Sequence, residues 1–212
     1  EDVLDRCLHE RFGRRFRHFE HSLRIVDVLE RDHRGLNLTD DVRDGIRCHS
    51  GRSPQPRTLE GAIVRLVDRI AYINHDIDDA LRAGALDERQ LPRRAIAVLG
   101  PTGSRRIDLL VHDLVESSDR AGAIVQGDEA GAAMDELRTF MFDEVYLGPA
   151  VRAEQERIVR MLAALFDHYA EHPELIPDAG GAPGATEADR VADYLAGMTD
   201  RFCLRAFREL AE

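Results

Sequence analysis

The stretch "LEGAIVRLVDRIAYINHDIDDALRAG", residues 59–84, decides the fold of this chain. Its apolar residues recur every three or four positions, which is the period of one helix face and not the alternation of a β-strand. Thr58 is a good N-cap before this stretch, and Gly84 is an ordinary C-cap glycine after it. The pattern therefore predicts one helix of about 25 residues.

The same helical period recurs along the rest of the chain. Thr39 caps a short helix, and four further helices are predicted from the stretches "RRIDLLVHDLVESS", "AAMDELRTFMFDEVY", "VRAEQERIVRMLAALFDHYAEH" and "EADRVADYLAGMTDRFCLRAFREL". The glycine-containing stretch 99–106 lacks the Gly-Lys-Ser/Thr of a phosphate loop and is interpreted as a helix connector, and 178–186 as a surface loop. No convincing strand pattern is found, so the predicted fold class is all-α.

Composition and charge exclude several classes of protein. The 212 residues are 43% hydrophobic and 33% charged, which is typical of a soluble globular protein of one domain. No apolar run approaches the roughly 20 residues that a membrane span needs. The net charge of −11 argues against a general binder of nucleic acid or anionic membranes. Any phosphate site must therefore be local, and every basic residue is an arginine, which binds phosphate in a planar, bidentate way.

Three scattered cysteines, Cys7, Cys48 and Cys203, are too few for a disulfide framework or a zinc knuckle. They predict reduced thiols in a cytoplasmic protein.

The predicted helix over 59–84 has one apolar face and one polar face. On a helical wheel the core face holds Ile63, Leu66, Val67, Ile70, Ile77 and Leu81, and the opposite face holds Asp68, Tyr72, Asp76 and Asp79, flanked by Arg65, Arg69 and His75. Periodicity alone leaves two interpretations open. The polar face is either an ordinary solvated surface or the wall of a cavity that holds a metal and a charged substrate.

Two features favour the cavity. Tyr72 lies in the middle of the acidic face, where its ring would expose apolar area unless something covers it. Partly buried carboxylates also need counter-charges, and a divalent metal or arginine is the usual partner. Asp68 followed directly by Arg69 would place a metal ligand and a phosphate clamp side by side.

Several motifs resemble those of one enzyme family. The motifs "FRHFEHSLRIVDVLE", "GLNLTDDVRDGI", "FMFDEVY" and "VADYLAGMTDRF", together with residues 59–84, resemble the deoxynucleoside triphosphate triphosphohydrolases, or dGTPase-like proteins, of the HD superfamily. The resemblance runs from residue 1 to nearly residue 210. It implies an HD-superfamily helical domain with additional C-terminal helices, in which a truncated HD-type core covers about 1–86 and a C-terminal helical region about 87–212.

The resemblance also implies an activity and a binding site. The activity is metal-dependent hydrolysis of a deoxynucleoside triphosphate to a deoxynucleoside and inorganic triphosphate. Asp68 matches the last ligand of a metal held by a histidine, a His-Asp pair and an aspartate. Arg69 matches a residue that contacts the triphosphate, Tyr72 a tyrosine that packs against the deoxyribose, and Asp76 an acid that bonds the sugar 3′-hydroxyl.

Three further residues are the catalytic candidates. His18 matches a histidine near the phosphate that could act as general acid or simply bond a phosphate oxygen. A single histidine could equally be a surface or core residue. Glu20 is the next candidate. After the histidine the family usually has Asn-Glu, and this chain has Phe19-Glu20 at the same place. Glu1 matches the glutamate that ends the segment "H-x-G-E", where a His/Glu dyad prepares the attacking water.

The metal site is expected to be incomplete in this chain. The family's first metal histidine and its His-Asp pair match nothing after residue 1, and a single carboxylate cannot hold a catalytic divalent ion such as Mg²⁺ or Mn²⁺. Two alternatives therefore stay open. One is a non-catalytic nucleotide-binding or interaction module, and the other is an HD-type phosphohydrolase acting on nucleoside monophosphates or cyclic dinucleotides. The resemblance also implies a homo-oligomer.

Overall fold

The structure is a computed structural model that describes residues 1–177 and 182–210, with the side chains of residues 149–153 left out. Within these ranges every regular element is helical and there is no strand, which confirms the all-α prediction. The first four residues of the loop predicted at 178–186 lie outside the described residues. No helix of the described ranges is both long and apolar enough to cross a membrane.

The described residues form two compact units. The first unit comprises Glu1–Arg47 and Glu154–Glu212. Its helices are α1 (Asp2–Phe12), α2 (His18–Arg24) with a π-helical continuation (Ile25–Leu29), α4 (Asp40–Arg47), most of α9 (Pro149–Glu171), a 3₁₀ turn (Pro173–Leu175), α10 (Glu187–Ala196) and α11 (Asp200–Glu209). The short segment α3 (Glu30–His33) is a turn in which Arg31, Asp32 and His33 have left-handed φ values. Its core includes the buried residues Leu8, Phe16, Leu165, Phe166, Val191 and Leu195.

The second unit comprises Cys48–Ala153. Its helices are α5 (Leu59–Arg82), a 3₁₀ turn (Glu88–Gln90), α6 (Arg93–Leu99), α7 (Gly103–Ala121) and α8 (Asp128–Phe140) with a π-helical continuation (Met141–Tyr146). Helix α5 packs against α7 and α8. The core includes the buried residues Ile70, Ile73, Ile77, Leu99, Leu110 and Leu137. The sequence suggests a single domain with a boundary near residue 86. That division differs from the two units described here and stays a prediction.

Helix α5 begins and ends where the sequence predicts. The side chain of Thr58 accepts a hydrogen bond from the amide of Gly61 at 3.1 Å, and Gly84 adopts a left-handed φ of 69° just after the last turn. Ile63 differs from its prediction as a core residue, because it is exposed. The apolar cover of α5 begins further along, where Ile70 and Ile77 are buried.

The connector predicted at 99–106 is shorter than expected. The Thr102 side chain caps α7, which begins at Gly103, so the second half of the stretch is helical. Arg106 is consequently a fully buried helix residue and not part of a surface connector. The three cysteines form no disulfide, as the sequence predicts, and all three are buried.

Candidate functional site

Four predicted site residues lie on one side of α5 in the second unit. Asp68, Tyr72 and Asp76 follow each other at intervals of four residues, and Arg69 lies beside them. Asp68 is exposed, Tyr72 is 39% exposed to solvent, and Arg69 and Asp76 are half-buried. Asp68 has no hydrogen-bond or ion-pair partner among the described residues. This side of the helix, called here the α5 polar face, thus combines open carboxylate, guanidinium and phenol groups.

Tyr146 adds a second phenol to the α5 polar face. It ends the π-helical continuation of α8, and its hydroxyl donates a short hydrogen bond to Asp76 Oδ2. Burial and, after it, the bond to Asp76 raise the pKa of Tyr146, so the phenol stays protonated and remains a donor. The bond holds one oxygen of Asp76 in place. The motif "FMFDEVY" contains Tyr146, but sequence reasoning gave that tyrosine no role.

Two arginines lie near Tyr72. Burial raises the pKa of Tyr72, while the positive charges of Arg138 and Arg69 oppose that rise. Arg69 Nη1 lies 3.5 Å from Asp135 Oδ1, a long contact between side chains that are 33% and 62% exposed, so this ion pair is weak. Arg138, one turn beyond Asp135 on α8, is exposed. Its part in this face was missed because nothing local in the sequence connects it with α5.

A buried arginine of α7 fixes the position of α5. Arg106 donates from Nε to Asn74 Oδ1 at 2.7 Å, from Nη2 to Asp78 Oδ1 at 3.2 Å and from Nη1 to the Pro101 carbonyl at 3.2 Å. Gly103 allows this approach, since a Cβ at that position would collide with the Asp78 carboxylate. Burial lowers the pKa of Arg106, against the effect of Asp78. Through Asn74 and Asp78, these contacts fix α5 to α7 on either side of Asp76.

In the first unit Glu1 and His18 form a pair. His18 Nδ1 lies 2.9 Å from Glu1 Oε2, and the His18 amide donates to Glu1 Oε1 at 3.3 Å. Burial alone would raise the pKa of Glu1, but the two hydrogen bonds from His18 and its charge hold that pKa below its usual value. An ionised carboxylate that orients an imidazole is an arrangement suited to proton transfer.

The segment before His18 is held by a buried carboxylate. Asp5 of α1 accepts a hydrogen bond from the Phe16 amide at 2.7 Å and forms ion pairs with Arg15 at 2.6 Å and Arg17 at 3.2 Å. Burial opposes ionisation of Asp5, yet these partners lower its pKa. Asp5 therefore places the start of α2, and with it His18, beside Glu1.

Glu20, the third catalytic candidate, is not joined to that pair by a hydrogen bond or an ion pair within the described chain. Its side chain is exposed on the first turn of α2. One residue further, the side chain of His21 is only 10% exposed, and its Nδ1 lies 3.7 Å from Asp193 Oδ1. Burial lowers the pKa of His21 more than Asp193 raises it. Asp193 also accepts three hydrogen bonds from Arg24, at 2.8, 3.1 and 2.7 Å, and so ties α2 to α10.

The described residues do not make up a complete metal site. Within residues 1–177 and 182–210, no three histidine, cysteine, aspartate or glutamate side chains lie close enough together to hold one ion. They therefore do not fit a complete site for a catalytic divalent metal, which needs three or more protein ligands. Asp68 stays a predicted ligand.

Comparison with known proteins gives a consistent set of relatives. The family model described as "Phosphohydrolase-associated domain" matches residues 124–209. A deoxyguanosinetriphosphate triphosphohydrolase-like protein of Caldanaerobacter subterraneus subsp. tengcongensis is 40% identical over 214 residues, which cover 99% of this chain and 61% of the relative. A protein of the same description from Clostridium perfringens strain 13 is 40% identical over 205 residues, covering 92% of this chain and 60% of the relative.

A third protein of that description, from Geobacter sulfurreducens, is 33% identical over 264 residues, covering 100% of this chain and 68% of the relative. The chain spans about three-fifths of the length of the first two relatives.

Proposed function

Because the chain belongs to the deoxyguanosinetriphosphate triphosphohydrolase-like family of phosphohydrolases, we propose that it takes part in hydrolysing a deoxynucleoside triphosphate. The products are a deoxynucleoside and inorganic triphosphate. Water attacks the α-phosphorus, the bond from that phosphorus to the nucleoside 5′-oxygen breaks, and the triphosphate stays whole.

The α5 polar face is the observation that carries this proposal. A deoxynucleotide presents a polyanion and a sugar with one free hydroxyl, and this face offers groups for each. Arg69 and Arg138 supply two guanidinium groups near Tyr72, and guanidinium binds phosphate oxygens in a bidentate manner. Neither arginine lies in a strong ion pair within the described chain that a phosphate would have to break.

The sugar is assigned to the two tyrosines and Asp76. The half-exposed ring of Tyr72 packs against the deoxyribose and fills the space that a ribose 2′-hydroxyl would need. Tyr146 already donates a hydrogen bond to Oδ2 of Asp76. The sugar 3′-hydroxyl donates a second hydrogen bond to the Asp76 carboxylate. The selectivity for a deoxynucleotide thus comes from shape, and the anchoring of the sugar from one charged hydrogen bond.

The Glu1–His18 pair supplies the proton transfer in this proposal. Within the first unit, a protonated His18 can give up its proton, and Glu1 stabilises the imidazolium. Glu20, exposed on the same helix, stays the second carboxylate candidate. Asp68 is the proposed ligand that this chain contributes to a divalent metal. The predicted homo-oligomer is tested by light scattering during size-exclusion chromatography.

Identification of the products tests the activity. The 212-residue chain is incubated with each of the four deoxynucleoside triphosphates and Mg²⁺ or Mn²⁺, and the phosphorus species are resolved by ³¹P NMR. Intact triphosphate as the phosphorus product supports the proposal. Orthophosphate or pyrophosphate would indicate attack at another phosphorus and contradict it.

Two aspartates of α5 make a matched pair of variants. Where the unmodified chain releases triphosphate, Asp68→Ala is expected to abolish that release. Asp79→Ala, which removes an exposed carboxylate paired with Arg82 at 3.2 Å, should leave it unchanged. Equal effects of the two substitutions would remove Asp68 from the proposed site.

A further inference from the structure

Two histidines at the end of α9 are not used by the proposed function. His168 belongs to the last turn of α9, and His172 follows the helix directly, four residues later. The centres of their imidazole rings are 5.2 Å apart. His168 is half-buried and the side chain of His172 is 50% exposed, so solvent reaches the pair. Neither residue is among the predicted catalytic, substrate-binding or metal-binding residues.

The separation of the two rings suits one metal ion held by both. Because Zn²⁺ binds an imidazole nitrogen at about 2.0–2.1 Å, the centre of each ring lies about 3.2 Å from a shared ion. Two ring centres 5.2 Å apart then subtend about 109° at the ion, which is the tetrahedral angle that Zn²⁺ prefers. Rotation about χ2 turns a ring nitrogen toward the ion and leaves the ring centre almost in place.

A carboxylate orients one of the rings. Nδ1 of His172 lies 3.3 Å from Oε1 of Glu174. A metal-binding histidine commonly directs its second nitrogen to a carboxylate, which selects the tautomer and makes the other nitrogen a stronger ligand. With Nδ1 donating to Glu174, the lone pair of His172 lies on Nε2, which is then the metal-binding atom.

The ring of His168 is available as the second ligand. Its nitrogens form no hydrogen bond or ion pair within the described chain, and the ring packs against the rings of His172 and Tyr169, each at 5.2 Å. A cation bound there would therefore displace no polar partner of His168.

The charges around the pair favour a cation. Residues 167–174 read "DHYAEHPE", and apart from the histidines their ionisable side chains are all carboxylates. Arg11 and Arg190 reach this segment, but they donate to the backbone carbonyls of Ala170 and Pro173 and not to the two rings. The segment thus keeps an excess of negative charge, which attracts a cation.

We propose that His168 and His172 bind one Zn²⁺ ion, each through one ring nitrogen, with water completing four-coordination. Imidazole is a good ligand for Zn²⁺, whereas Mg²⁺ prefers oxygen, so the pair selects Zn²⁺ over Mg²⁺. Two protein ligands are fewer than a catalytic metal site needs, and this ion has no part in the proposed hydrolysis.

Titration of Zn²⁺ into the ¹⁵N-labelled chain tests this proposal first, with the imidazole nitrogens followed by NMR. A ligating imidazole must be neutral, so the titration is made at about pH 7.5. The resonances of His168 and His172 should change together and saturate, and Mg²⁺ should leave them unchanged. A change in only one of the two rings, or no saturable change in either, would overturn the proposal.

Substitutions then test whether the two rings share one ion. His168→Gln should weaken Zn²⁺ binding at His172 about tenfold or more, because a single ring lacks the chelating partner, and His172→Gln should do the same at His168. Glu174→Gln keeps both rings and should weaken binding about tenfold at most, since Glu174 is 67% exposed. His112→Gln, at an exposed histidine of α7, is the control and should leave the affinity of the pair unchanged.

Unchanged Zn²⁺ binding at His172 in the His168→Gln variant would contradict the proposal, because it would show that the two rings do not share an ion. Asp68→Ala should bind Zn²⁺ at the pair normally, so failure of this site and failure of the proposed hydrolysis are distinguishable.

Discussion

Replacement of Arg106 by methionine is expected to destabilise the protein, because this side chain is fully buried and holds α5 through three hydrogen bonds. Methionine has a similar length and fills much of the same space without any polar atom. The substitution therefore removes the hydrogen bonds and leaves little cavity behind. The matched control is the neighbouring Arg105, whose side chain is 74% exposed.

The three acceptors contribute unequally to the expected loss. Asn74 is fully buried, so its unpaired Oδ1 should cost about 1–3 kcal/mol. Asp78 is 42% exposed and regains water, so its lost ion pair should cost only about 0–1 kcal/mol. The Pro101 carbonyl belongs to an exposed residue and is rehydrated. The sum is a loss of about 1–4 kcal/mol in the free energy of unfolding.

Urea unfolding followed by far-UV circular dichroism measures this loss. The midpoint should fall in Arg106→Met while the slope stays the same, since the surface exposed on unfolding is unchanged. Arg105→Met removes only an exposed ion pair with Asp108 at 3.6 Å and should change the stability by less than about 0.5 kcal/mol.

A second substitution tests the cause of the loss. Asn74→Leu in the Arg106→Met background removes the unsatisfied acceptor and should recover about 1 kcal/mol or more. The reasoning is refuted if Arg106→Met is as stable as the unmodified chain, or if Arg105→Met is destabilised equally.

Three further predictions concern the proposed site and the first unit. Tyr72→Ala should reduce the ratio of deoxynucleotide to ribonucleotide affinity, measured by paired titrations, and an unchanged ratio would remove Tyr72 from sugar selection. Tyr146→Phe should weaken binding of dGTP roughly 3- to 10-fold through the lost hydrogen bond to Asp76, and equal affinity would contradict that role. Hydrogen bonds from Thr186 lower the pKa of Asp189 to about 2, against the opposing effect of burial. Since this folded-state pKa lies below the unfolded value of about 3.9, the stabilisation is complete above pH ~4 and lost as the pH falls toward 2. The stability gap between Asp189→Asn and the unmodified chain in urea should therefore close over that range, and a gap independent of pH would refute the assignment.

The parts of the fold set by local chemistry could be predicted from the sequence. Helix α5 has a strong apolar period, a threonine cap and a terminal glycine, and each of these acts within a few residues. The four polar residues of α5 share a side because of helix geometry alone. The family was recognisable from motifs spread along the chain, and the relatives confirm it.

The features missed from the sequence depend on contacts between distant residues. Tyr146 meets Asp76 across 70 positions in the chain, and no local pattern marks that meeting. Arg106 looks like part of a polar connector, because arginine is rarely buried without a partner that only the folded chain reveals. The left-handed turn at Arg31–His33 contains neither glycine nor asparagine, so the sequence does not predict it.

The central claim is that the α5 polar face binds a deoxynucleoside triphosphate, and calorimetric titration of dGTP with Mg²⁺ tests it most directly. We predict that the chain binds dGTP and that Arg69→Gln and Arg138→Gln each weaken binding about tenfold or more. Arg82→Gln, at an exposed arginine near the end of the same helix, should bind normally. Absence of binding by the unmodified chain, or equal affinity in all three variants, would contradict the claim.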